Sequence, residues 1–212
     1  GKDTTGIFRV HQFDKVEIVR IEHPDNSYKA LDGMVEHVKA ILKELKLPHT
    51  TLKFELSELS EFNRTGCTGV EFLFSANYGI EAVPIEKAAS GGELSRLMLA
   101  LQQLISEKQD LPTIFFDEID TGVSGYVALK MGQLLEKMGQ TVQLMAISHL
   151  PQVAARAAHH MVVAKELRNE RMQTTVNVLK QSDRPNEIAR LMSGEVITEA
   201  ALQNALNLLS EK

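Results

Sequence analysis

A chain of 212 residues is long enough for one large domain or two small ones, with a real buried core. Hydrophobic residues at 43% and charged residues at 24% match ordinary globular composition, which excludes a disordered, collagen-like or disulfide-scaffold chain. The formal net charge of -5 leaves no overall basic field for nucleic acid or anionic lipid, so any DNA contact must be local. The single cysteine, Cys67, has no internal disulfide partner, and a reducing, cytoplasmic setting is the simplest one. No stretch reads as a membrane span, because the greasiest runs are soon interrupted by polar residues, and no secretory signal stands at the start. A first residue of Gly1 rather than Met reads as a processed or truncated chain.

In chain order, β-branched and aromatic residues cluster over 7–13 and 16–21, separated by Asp14 and Lys15, which predicts a hairpin. After residues 24–27 the period changes: Leu31, Met34, Val35, Val38, Ile41, Leu42 and Leu45 fall on one helical stripe. Lys43 and Lys46 sit where the helix dipole favours cations, and Pro48 is predicted to stop the helix and mark a boundary between units 1–47 and 48–212. Leu52, Phe54 and Leu56, then Val70, Phe72 and Phe74, alternate with polar neighbours and predict two half-buried antiparallel strands joined by a polar stretch over 57–69.

Longer elements then alternate strictly. A helix follows Gly92 with the stripe Leu94, Leu97, Met98, Leu101, Leu104 and Ile105; a strand covers 113–116; a helix carries Val127 to Met138; a strand covers 142–147. Helix, strand, helix, strand implies parallel neighbours with crossover helices. The tail adds a helix over 150–158, strands over 161–165 and 173–179, and two more helices. The predicted fold class is α/β: a mixed, mainly parallel sheet with flanking helices, preceded by a β-hairpin and helix.

Three features carry chemistry. Thr113-Ile-Phe-Phe-Asp-Glu118 is an apolar strand ending in two carboxylates, and such strand ends lie at the sheet edge where α/β proteins bind ligands. Asp117 is placed to hold Mg²⁺, and Glu118 to polarise a water against a γ-phosphate; a solvated Asp-Glu turn is the plain alternative. Ala89-Ser-Gly-Gly-Glu-Leu-Ser-Arg96 opens a helix, and Ser90 with Glu93 forms a capping box without any ligand. A capping box does not account for two glycines in a row. Gly91 and Gly92 leave backbone N–H groups open at a positive helix terminus, which makes a phosphate seat. Leu144-Met-Ala-Ile-Ser-His149 delivers His149 to the same edge, although a lone histidine after a strand is more often packed or solvated.

The order of these features is that of the signature motif, Walker B and switch histidine of ABC-type ATPases. The stretches at 72–77, 89–96, 115–125 and 147–155 together resemble the C-terminal ATPase head lobe of the RecN family, bacterial DNA double-strand-break repair proteins of the SMC class. The resemblance implies ATP and Mg²⁺ as cofactors, Asp117 as the Mg²⁺ carboxylate, Glu118 as the general base and His149 as the γ-phosphate switch. It implies that Ser90, Gly91, Gly92 and Glu93 touch the γ-phosphate bound by an opposing head. Residues 120–124, including Asp120 and Ser124, resemble the loop at the head–head interface. Implied partners are a lobe bearing Walker A, a second head in an ATP-dependent dimer, and DNA through the complete protein, with weak DNA binding by this chain and no membrane.

One departure is informative. No G-x-x-x-x-G-K-[ST] run occurs in the 212 residues, so the backbone cradle and lysine that grip the β and γ phosphates are missing. The chain therefore reads as half a head. Residues 1–47 resemble instead the motif 2 region of seryl-tRNA synthetase, through Gly1 to Glu17 and the helix behind them; this would make the chain a fusion or chimera. The plain reading there leaves Arg9, His11 and Lys15 as solvated or strand-paired side chains.

Three function classes follow: part of an ATPase head, a non-catalytic interaction module using the same helix start and loop as a docking face, or a synthetase remnant. Weaker candidates are the adjacent His159 and His160, which point to opposite faces and make a poor metal pair, and Lys165, Arg168 and Arg171, a basic patch diluted by Glu166 and Glu170.

Overall fold

The computed structural model describes residues 23–64, 66–88, 91–108, 111–117, 119–168 and 171–211. The hairpin expected over 7–21, with Arg9, His11 and Lys15, lies outside them, as do Ser90, Glu118 and Glu170. Helix α1 (Ser27–Glu44) buries Val38 and Leu42 on the expected stripe. It stops before Pro48 is reached. Lys46 adopts a left-handed φ of 63°, its N–H donates to the Lys43 carbonyl at 3.2 Å, and the Leu47 N–H donates to the Leu42 carbonyl at 2.8 Å. That pair of bonds is a Schellman cap, fastened by Leu42 and Leu47 packing in one apolar cluster.

Strands β1 (Thr51–Asn63) and β2 (Gly66–Ser75) form an antiparallel hairpin, to which β3 (Val83–Pro84) adds an edge. Pairing runs from Thr51↔Ser75 to Glu58↔Thr68 and shifts before Asn63↔Gly66. The polar stretch 57–69 is thus no loop but the outer half of the hairpin. Apolar alternation fades where the ribbon leaves the core, while backbone pairing continues beyond it.

After the short α2 (Ile85–Ala88), helix α3 (Gly91–Lys108) leads to β4 (Thr113–Asp117), α4 (Gly125–Met138) and β5 (Gln143–Ile147). The last three form the expected crossover unit, with β4 and β5 parallel from Thr113↔Gln143 to Asp117↔Ile147. Helix α5 (Pro151–Ala154) is followed by the hairpin β6 (Met161–Arg168) and β7 (Arg171–Val178), then α6 (Arg184–Ser193) and α7 (Glu199–Ser210).

The α/β class is as read from the sequence, but the strands among the described residues divide into three small sheets rather than one mainly parallel sheet. Only β4 and β5 pair in parallel among the described residues, since only they are joined by a crossover helix; short turns make the other pairs antiparallel. Of the three apolar clusters among the described residues, one packs α6 and α7 together and two hold the layers. One joins Ile114 and Phe116 of β4 to Met131 and Leu135 of α4, Leu99 of α3 and Leu45. The other joins Val38 and Leu42 of α1 to Leu52, Phe74, Leu97 and Ala100. Residues on both sides of position 48 therefore share both cores.

The helix expected over 150–158 is cut to four residues. Arg184, 2% exposed, donates from Nη2 to the carbonyls of Ala154, Ala155 and Ala157 at 3.3, 3.1 and 2.8 Å, and from Nη1 to Gln181 Oε1 at 3.2 Å. A cation on these terminal carbonyls ends α5 and ties it to α6.

Candidate active site

The parallel pair sets the geometry. Asp117 closes β4 opposite Ile147, the last residue of β5, so Asp117 and the segment Ser148-His149 leave the sheet at the same edge. The Asp117 carboxylate is exposed and has no hydrogen-bond or ion-pair partner among the described residues. Among those residues no group of three His, Cys, Asp or Glu side chains could cage a metal. Asp117 thus fits Mg²⁺, which binds through one or two carboxylates and takes its other ligands from water and phosphate.

Asp120 behaves differently. Its carboxylate is 1% exposed, and Oδ2 accepts from Ser148 Oγ at 2.5 Å and from the His149 backbone N–H at 3.0 Å. His149 Nδ1 lies 3.3 Å from the same oxygen, while the imidazole is 74% exposed. Ser148 Oγ in turn accepts from the Leu150 N–H at 3.0 Å. Asp120, expected at an interface between heads, has its side chain turned inward to hold the loop that carries His149. Sequence pattern alone does not mark Ser148; a hydroxyl next to the histidine, with a carboxylate three residues past Asp117, is the available signal.

Gly91, Gly92 and Glu93 occupy the first turn of α3. A Cβ on Gly92 would stand 3.1 Å from the Gly122 carbonyl oxygen and 3.2 Å from that of Thr121, whereas one on Gly91 would meet Thr121 Cγ2 at an ordinary 3.9 Å. The helix start therefore packs backbone to backbone on the loop after β4, and Gly92 has a packing reason of its own. Gly122 has φ +70°, a conformation suited to glycine. Burial lowers the pKa of Arg96, one turn into α3, and Glu93 opposes that shift. Ser124 is exposed at the N-cap of α4, where its side chain makes no capping bond. Asp117, Asp120, His149 and the α3 start are thus joined through one loop. Ser90 and Glu118 lie outside the described residues.

Known proteins resemble this chain in sequence and in fold. The chain is 40% identical over 179 residues to the DNA repair protein RecN of Deinococcus radiodurans, covering 84% of this chain and 31% of that protein. It is 39% identical over 197 residues to RecN of Vibrio cholerae, covering 92% and 34%. This stretch is RecN-like. It spans about a third of the length of the curated relatives it matches. The backbone has the SMC head fold: the Smc head with coiled coil and joint from Pyrococcus yayanosii matches with a TM-score of 0.56 at 20% identity, over 87% of this chain and 30% of that one. A structure reported on ATP-driven dimerisation and DNA-stimulated activation of SMC ATPases matches at 0.54 and 17% identity, over 81% and 99%. No protein-family model matches the chain.

The Vibrio match bears on the first segment. Residues 48–212 number 165 of 212, so a match covering 92% of the chain extends into residues 1–47 as well. RecN likeness, not a synthetase, is what the comparisons show there. No helix among the described residues is long and apolar enough to cross a membrane.

Proposed function

We propose that this RecN-like chain is the C-terminal part of an ABC-type ATPase head in a cytoplasmic protein that repairs DNA double-strand breaks. Asp117 holds Mg²⁺ and Glu118 polarises the attacking water, while His149 meets the γ-phosphate. Residues Ser90 to Glu93 contact the γ-phosphate carried by an opposing head, and Ser124 lies toward that head. ATP is gripped mainly by a lobe bearing Walker A, and DNA is engaged by the complete protein. The chain is read as a leading segment 1–47 and a lobe 48–212, and Val38 and Leu42 of α1 pack in one apolar cluster with Leu52, Phe74, Leu97 and Ala100 of that lobe.

The observation that carries this reading is the parallel β4–β5 pair, which brings Asp117 and His149 to one edge. The packing of Gly92 on Thr121 and Gly122 adds the α3 terminus to the same loop.

Ser90 supplies the test. As a helix cap alone, Ser90→Asp keeps a good cap and is nearly silent, while Ser90→Ala costs about 1 kcal/mol. Facing a γ-phosphate, Ser90→Asp sets negative charge against negative charge. In a head reconstituted with a Walker A-bearing lobe, Ser90→Asp is expected to melt like the parent yet fail to dimerise with ATP. Normal dimerisation and turnover by Ser90→Asp would remove the site from α3.

A further inference from the structure

We infer that Lys46 and Lys130, gathered on the ring of Tyr126, form a local contact for the phosphate backbone of DNA. The Lys46 ammonium stands 4.7 Å from the centroid of the Tyr126 ring, and that of Lys130 stands 5.6 Å from it. These residues come from segments far apart in sequence that are packed firmly together. Lys46 belongs to the cap that ends α1, and its neighbour Leu45, 1% exposed, packs with Met131, Leu134 and Leu135 of α4. Tyr126 and Lys130 lie four positions apart on α4, so they share one face of that helix.

An aromatic face attracts each ammonium but cancels no charge, so two cations held on one ring still repel each other. Neither lysine has an ion-pair partner among the described residues, although the chain carries 28 acidic residues against 23 basic ones. Lys43 and Lys137, both exposed and likewise without an ion pair there, extend the cluster along α1 and α4. The nearest carboxylates in sequence are Glu44, which is exposed, and Glu136, whose Oε2 is turned to Arg156 Nη1 at 3.3 Å. Tyr126 is 52% exposed, and its hydroxyl makes no hydrogen bond among the described residues. Lysine binds phosphate as a point charge, and a tyrosine hydroxyl also donates to phosphate oxygens; neither reads a base edge in doing so. The contact is therefore independent of DNA sequence, and it supplies the local basic spot that a chain of net charge -5 needs to touch DNA at all.

The inference rests on the reading that the complete protein engages DNA, and its test uses neither ATP nor a partner lobe. Binding of the whole chain to a fluorescein-labelled DNA duplex is followed by fluorescence anisotropy, with potassium chloride raised from about 0.01 M, where the Debye length is about 30 Å. The parent is expected to bind at the lowest salt and to release the duplex before physiological salt is reached. Lys46→Gln and Lys130→Gln are each expected to weaken binding and to reduce the slope of log affinity against log salt by about 1, and the double variant by about 2. Lys46→Arg with Lys130→Arg keeps both charges and is expected to keep the parent slope. Lys165→Gln with Arg171→Gln removes the same charge from the β6–β7 hairpin and is expected to leave the slope unchanged. A parent slope in the Lys46→Gln, Lys130→Gln chain overturns the inference, and so does an equal fall in slope in the hairpin variant. A parent chain that binds no duplex at the lowest salt overturns it too, while leaving the DNA reading of the complete protein in place.

Discussion

Gly92 and Gly122 meet backbone to backbone: a Cβ on Gly92 would stand 3.1 Å from the Gly122 carbonyl oxygen, and Gly122 itself has φ +70°. This contact couples the start of α3 to the loop that leaves β4. It predicts a contrast between two adjacent glycines. Gly92→Ala forces the loop to shift and is expected to lower stability by about 1–3 kcal/mol. Gly91→Ala meets only ordinary contacts and replaces a helical glycine, so it is expected to be neutral or to gain up to about 1 kcal/mol. Urea unfolding of both variants checks the order, which a destabilised Gly91→Ala with a silent Gly92→Ala would reverse.

Gly132 makes the second backbone approach. A Cβ there would lie 2.7 Å from the Gln152 carbonyl oxygen and 3.3 Å from Val153 Cα, so α4 and α5 are in contact through this glycine. Gly132→Ala is expected to cost more than Gly92→Ala, since backbone must move on the core side. Thermal melts of the two variants measured together decide it.

Arg184 is the buried cation on which α5 and α6 depend. Arg184→Met removes the four hydrogen bonds that the guanidinium makes, an expected loss of about 3 kcal/mol or more. Arg184→Lys, with a point charge in place of the fork, is expected to recover only part of it. Equal stability of Arg184→Met and the parent would show that the carbonyls find other partners.

The same region predicts a pH dependence. Burial lowers the pKa of His160, the Arg184 guanidinium lowers it further, and Glu187 opposes both. The folded chain therefore holds His160 neutral where the unfolded chain protonates it. The stability is fully present above the unfolded value of about 6.5 and is lost as pH falls through the lowered folded value. His160→Gln is expected to flatten the fall in urea midpoint between about pH 7.5 and 5. An unchanged slope in His160→Gln would assign the acid sensitivity elsewhere.

Much of this was legible in the sequence because it rests on local pattern. The apolar runs of β4 and β5 and the stripe of α4 predicted a parallel crossover unit, and that unit alone carries Asp117 and His149 to one edge. What escaped rests on contacts between distant segments. Arg184 reads as a surface arginine opening a helix until α5 is seen to end against it, and Asp120 reads as a loop residue until Ser148, 28 positions on, is seen to bond it. The end of α1 falls ahead of Pro48 for a different reason. Proline is a visible stop signal, whereas a lysine held in the left-handed region by a Schellman cap leaves no mark in the sequence.

The most direct measurement is ATP turnover on mixing. The chain alone contains no phosphate cradle, and phosphoryl transfer depends on positioning, so negligible hydrolysis is expected from it. Mixed with a separately purified lobe that bears Walker A, it is expected to give Mg²⁺-dependent hydrolysis, lost in Glu118→Gln and in Asp117→Asn. Equal, absent turnover in the mixture despite a stable complex between the two chains would contradict the account and leave this segment a docking module.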